Sequence, residues 1–143
     1  MSLAVPDASS SPSVEAIDDF YTGYIKASDE VANGAAEVSL LDPYVTAEQL
    51  KREADSVQSL EQRGLRLEGS THAYGVRVQD ADATHVVFYA CLDISESRTI
   101  DAKGVDVTSS ERIVLQPIIA SLRVLDGTLK LESHDSWAGE NFC

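Results

Sequence analysis

At Gly64 the hydrophobic period of this chain changes from about 3.6 residues to two, and that change limits the fold more than any other feature. Before it, Val14, Ile17, Tyr21, Tyr24, Ile25, Ser28 and Val31 recur at helical spacing, and Leu50, Ala54, Val57 and Leu60 make a second stripe. After it the pattern alternates. Helices first and strands after them predict an α+β domain in which two or three helices cover one face of a mostly antiparallel sheet of four to six strands.

The punctuation agrees with the periodicity. Ser13 is an N-cap, with Glu15 and Asp18 in the first turn where carboxylates oppose the helix dipole, and Asn33-Gly34 supplies the stop. Residues Ala35 to Leu41 suit a short second helix that Asp42-Pro43 ends. Thr46 with Gln49 three residues on reads as a capping box, and Gly64-Leu65 as a left-handed helix end closed by a contact with Leu60. Strands are predicted at Arg66 to Gln79, Thr84 to Ile94, Glu111 to Leu125 and Thr128 to Trp137. Gln79 to Ala83 and Asp126-Gly127 give reversals, and Asp101 to Gly104 marks a turn in the polar connection from Ser95 to Ser110, which has room for short flanking strands. Pro117 is expected at a bulge or an edge, because it has no N–H for a ladder. On the second strand Val86, Phe88, Ala90 and Leu92 share the face expected to meet the helices, and Cys91 lies on the other.

The chain has two cysteines, Cys91 and Cys143, outside any Cys-x-x-Cys pair, and one of them is the last residue. A disulfide is the economical reading; two unrelated free thiols are the alternative. On the first reading the tail crosses the far face of the sheet, the bridge stabilises the fold by about 4 kcal/mol, and an oxidising compartment is implied.

Among 143 residues, 24 are acidic and 11 basic, a formal charge of −13 that repels phosphate backbones and anionic lipid heads. Nucleic acid is excluded as a partner on that ground, and the membrane is expected to be reached only through an anchor. One domain spanning 13–143 is expected, preceded at 1–12 by a flexible leader that is rich in serine and proline. Met1-Ser2-Leu3 reads as a cloning leader in place of an export signal.

Tyr21 and Tyr24 in the first helix, Gly64 and Gly69 where the sheet opens, Ala90-Cys91-Leu92-Asp93 ending a strand, and Cys143 after Trp137 together carry a resemblance. In their order and spacing these residues resemble the NTF2-like (cystatin-like) superfamily, and more narrowly a set of actinobacterial exported or lipoprotein-type proteins. The resemblance covers Val14 to Cys143. It implies a strongly curved sheet forming a cone, often with a pocket between sheet and helices, and a secreted or cell-surface location. Superfamily members include isomerases, cyclases, dehydratases and non-catalytic modules, so the fold leaves function open.

In an enzyme of that type an Asp or His base stands near a Tyr or a second acid. Tyr24, Tyr74, His72, Asp93, His134 and Asp135 are the residues able to supply such a set. Tyr24, Tyr74 and Asp93 are taken as the pocket candidates, although Asp93 also suits a strand-end turn, and Tyr21 and Tyr24 suit packing. No His-x-x-x-His pair, phosphate loop, nucleophile elbow or complete calcium loop occurs, Asp80-x-Asp82 lacking the glycine and glutamate of the last. No metal or cofactor is expected. The expectation for function is a non-catalytic ligand-binding or protein-interaction module of the cell envelope, with a small enzyme using an Asp or His in the cone as the alternative. A homodimer through the open sheet face is compatible with either.

Overall fold

The computed structural model describes residues 11–143, so the expected leader lies, apart from Ser11 and Pro12, outside the described residues. The chain is α+β. Helices α1 (Val14–Ala32) and α2 (Ala47–Gln62) precede strands β1 (Arg66–Glu68), β2 (His72–Ala81), β3 (His85–Asp93), β4 (Arg98–Ile100), β5 (Leu115–Leu125) and β6 (Thr128–Ser136). A four-stranded antiparallel sheet runs β2-β3-β5-β6, and β1 pairs with β4 in a second, two-stranded sheet.

Local chemistry sets the helix ends. Ser13 Oγ accepts the Ala16 N–H at 3.0 Å. At the end of α2 the Leu65 N–H reaches Leu60 O at 2.9 Å and the Gly64 N–H reaches Glu61 O at 3.0 Å, the paired bonds of a Schellman motif, with Gly64 at φ +68°. The expected second helix is only a 3₁₀ turn, Val38–Leu41, with Pro43 two residues beyond it.

One face of α1 and the helix-facing residues of the sheet form the core. Ile17, Tyr21, Tyr24, Ile25 and Val31 meet Val86, Phe88, Ala90 and Leu92 of β3, Ile118, Ala120 and Leu122 of β5, and Leu131 of β6. The far face of β3 carries Cys91, bonded to Cys143. Above it the tail lays Trp137 and Phe142 against Tyr89, with ring centroids 5.1 and 5.4 Å away, and Arg77 sits over the Phe142 ring.

Two expected strands are corrected. The run from Arg66 to Gln79 is broken into β1 and β2 by Gly69, at φ +90°, where a Cβ would stand 2.0 Å from Glu96 O. The backbone passes there from one sheet to the other, and only a residue without a side chain fits. The third long strand begins at Leu115 rather than Glu111, after Arg112 has turned its guanidinium to Ser97 O at 2.6 Å. Pro117 lies in an internal strand, where β6 runs out; its carbonyl accepts the Trp137 N–H at 2.9 Å, so its missing donor faces no further ladder.

The exposed edge of β6 is covered by the loop ahead of α2. Thr46 N–H donates to Leu131 O at 3.0 Å and Leu131 N–H to Tyr44 O at 2.8 Å, while Arg52 Nη2 takes Glu132 O at 2.7 Å. This edge closure brings α2 over the end of the sheet and thereby forms the cleft described next.

Candidate functional site

A cleft of about 430 Å³ opens between α1, α2 and the sheet, and its walls come from four parts of the chain. The first helix contributes Tyr24, Ile25, Ser28 and Asp29, and the second Gln49, Arg52, Glu53 and Ser56; Leu92, His134 and Asp135 come from the sheet, and Leu67 from β1.

Its polar centre follows from two small facts of packing. Phe88, Ala120 and His134 stand side by side across β3, β5 and β6. The methyl group of Ala120 leaves space between its larger neighbours, and the Tyr21 ring occupies it, edge-on to Phe88 at 5.1 Å and tilted on His134 at 5.5 Å. Tyr21 Oη then lies 2.6 Å from His134 Nε2. Desolvation drives the tyrosine pKa up and the histidine pKa down to about 4, so both are neutral at pH 7. Between two neutral groups this is a single hydrogen bond, whose donor is set by the imidazole tautomer.

The second fact concerns Gln49. Because Thr46 N–H is engaged by Leu131, the capping box forms only in half: Thr46 Oγ1 accepts the Gln49 N–H at 3.2 Å, but the Gln49 side chain does not return to Thr46. It turns inward instead and is 5% exposed. Its Nε2 donates to Glu53 Oε1 at 3.2 Å and its Oε1 accepts from Arg52 Nε at 2.9 Å. Tyr24 Oη donates to the same Glu53 oxygen. Burial is the main cause of the rise in the Tyr24 pKa, and the Glu53 charge adds to it. On the opposite wall Asp29 accepts the Thr71 N–H and Oγ1–H, each at 2.8 Å.

Of the three pocket candidates, only Tyr24 lines this cleft. Tyr74 is directly opposite Cys91 in the β2–β3 ladder and is 39% exposed; partners in register share a face, so it belongs to the tail side of the sheet. Asp93 follows Cys91 by two and shares that face. Hydrogen bonds from Ser95 hold its carboxyl below the ordinary range, in keeping with a strand-end turn. His72 pairs with Glu96 at the surface, 3.1 Å away. His134 and Asp135 do reach the cleft.

The rest of the network comes from Tyr21, which the sequence suggests as a packing residue, from Gln49, which it suggests as a cap, and from Glu53, which it does not single out. Gln49, Glu53 and Ser56 recur at i, i+4 and i+7 along α2, a polar stripe beside the apolar one. That stripe was the available signal. Among the described residues no group of three or more His, Cys, Asp or Glu is placed to hold a metal ion.

No protein-family model matches the sequence, and no curated protein matches it. In structure the chain is similar to the intermembrane-space region of the chloroplast protein ARC6, with a TM-score of 0.68 at 14% identity over 90% of this chain and 98% of that one. At that identity the likeness is one of fold. A de novo designed β-sheet protein, also 14% identical over 90% of this chain and 97% of its own, reaches a TM-score of only 0.40.

Proposed function

We propose that this chain is an exported cell-envelope domain of the NTF2-like type that binds a small polar ligand, without transforming it, in the cleft between α1, α2 and the sheet. The observation that carries the reading is that the cleft's reactive groups already bond one another. Tyr21 is committed to His134, and Tyr24 and Gln49 to Glu53. Such a network holds the walls in place before a ligand arrives, which lowers the ordering cost of binding. His134, Glu53 and Arg52 line the space, each with more hydrogen-bonding positions than these bonds use, beside the apolar Ile25, Leu92 and Ile94.

The secreted or surface-anchored location is supported by the Cys91–Cys143 disulfide, since such bonds persist in oxidising compartments. No helix among the described residues is long and apolar enough to cross a membrane, and attachment is proposed only through an anchor outside residues 13–143. The helices-then-sheet order with a cleft between them supports the NTF2-like assignment.

An NMR screen of small polar metabolites tests this reading. Ligands should shift the amides of Ser28, Glu53, Ser56, Leu92 and His134, and Glu53→Ala should abolish those shifts. Ligands that shift only residues elsewhere, or bind Glu53→Ala equally well, would overturn it. The alternative, a small isomerase, cyclase or dehydratase, is favoured by the Tyr21–His134 pair beside Asp135. A histidine with a pKa of about 4 is a weak base at neutral pH, which opposes it. Conversion of a bound compound by the native chain, lost in His134→Gln while binding persists, would establish the enzyme instead.

A further inference from the structure

Past Ala32, towards the C-terminal end of α2, lies a second depression of about 520 Å³, lined mostly by apolar side chains. Val31, Ala36, Val38, Val57, Leu60 and Leu65 line it, and Ala32 is the one residue it shares with the polar cleft. Gln49 alone is buried among the sixteen residues of α2; the apolar stripe Ala54, Val57 and Leu60 is covered only in part by the chain itself. An amphipathic helix half-open along its apolar stripe beside a groove is the arrangement that accepts an apolar segment from outside.

The rim states what kind of segment. Glu37 and Glu61 border the groove with no ion-pair partner among the described residues, whereas Arg66 is held by Glu68 at 2.6 Å. The uncompensated charge at the groove is therefore negative, within a chain whose formal charge is −13. A second copy would bring the same acidic rim and the same net charge, and an anionic bilayer would be repelled likewise. We infer that this groove docks an amphipathic segment of a partner protein whose apolar side chains are flanked by lysine or arginine. The docking is independent of the ligand proposed for the cleft.

Three synthetic peptides of about 15 residues, long enough for a short helix, make the test. The first carries leucines on one helical face and lysines at its flanks; the second replaces the lysines with glutamate, the third the leucines with serine. Titrated into the full chain, the leucine–lysine peptide should shift the amides of Val38, Ala54, Val57 and Leu60. The other two should bind at least about tenfold more weakly, as expected when both the anchors and the rim charge contribute. Val57→Asp should remove binding with the circular dichroism unchanged. Glu37→Gln with Glu61→Gln, both at the surface, should weaken it if Val57→Asp fails to fold. Equal binding of the serine peptide, shifts confined to another surface, a dimer closed through these residues in sedimentation, or anionic vesicles shifting the same amides would each overturn the assignment.

Discussion

Tyr21 Oη and His134 Nε2 meet at 2.6 Å across 113 positions of sequence, and the bond joins the first helix to the edge strand of the sheet. It exists because Ala120 is small enough to let the tyrosine ring in between Phe88 and His134. Both partners are neutral at pH 7, and that neutrality has measurable consequences.

Unfolding frees His134 to titrate at about its ordinary 6.5, whereas the native chain keeps it unprotonated down to about pH 4. Between those values the unfolded state holds more protons, so stability rises with pH and is lost as pH falls from 6.5 towards 4. The loss attributable to His134 is at most about 3 kcal/mol, since one edge of the ring meets solvent in the cleft. His134→Gln keeps a hydrogen-bond partner for Tyr21 without a titrating ring. Urea unfolding at a series of pH values should show the stability gap between native chain and variant shrinking as pH falls; a constant gap would contradict a neutral His134.

At the alkaline end the two helix tyrosines act. Their native pKa values stand above the ordinary 10.0, so the stability they confer is complete below that pH and is lost as pH climbs towards the native values. Of the five tyrosines, Tyr21 and Tyr24 should ionise only as the chain unfolds, giving a late, cooperative step in a spectrophotometric titration. Tyr21→Phe with Tyr24→Phe should remove that step. A step of unchanged size would show that other tyrosines produce it.

Cys91→Ser should cost about 4 kcal/mol under oxidising conditions, because the bridge closes a loop with a sequence separation of 52. The far-ultraviolet spectrum of the folded state should barely change, while Trp137 emission should shift to the red as the tail leaves Tyr89. Cys143→Ser should behave alike. Equal melting temperatures for variant and native chain would contradict a stabilising role for the bond.

Gly69→Ala should destabilise the fold by about 2 kcal/mol or more, from a left-handed conformation closed to alanine together with the contact with Glu96 O. Amide exchange should rise first in β1 and β4, the pair whose approach Gly69 permits. Uniform loss of protection across the sheet would argue against this local cause.

Gln49→Met keeps the volume of the side chain and removes its bonds to Glu53 and Arg52. A loss of about 1 to 3 kcal/mol is expected for a buried polar network left short of a partner. Exchange at the Thr46 amide should stay as slow as before, since its acceptor is Leu131 O. Faster exchange there would restore the full capping box.

The helix ends, the reversals and the face of β3 that meets the helices were legible because their causes act within a few residues. Ser13 caps Ala16 three positions on, Leu65 closes on Leu60, and alternation along one strand separates Phe88 from Cys91. The disulfide was legible for another reason, that two cysteines allow one intramolecular pairing. The cleft was only partly so. Tyr24, His134 and Asp135 stood among the candidates, but Tyr74 and Asp93 face the other side of the sheet, and Gln49 had an equally good local role as a cap.

The sequence by itself therefore determined the α+β order, the caps, the covalent closure and the charge. Tertiary structure alone decided that Thr46 would turn its N–H to Leu131, that Gln49 would be released inward by that choice, and that Gly69 would pass beneath Glu96. The reason is competition: a polar group can serve a neighbour within its own turn or a strand far along the chain. Which partner prevails depends on edges and gaps that exist only once the sheet has formed.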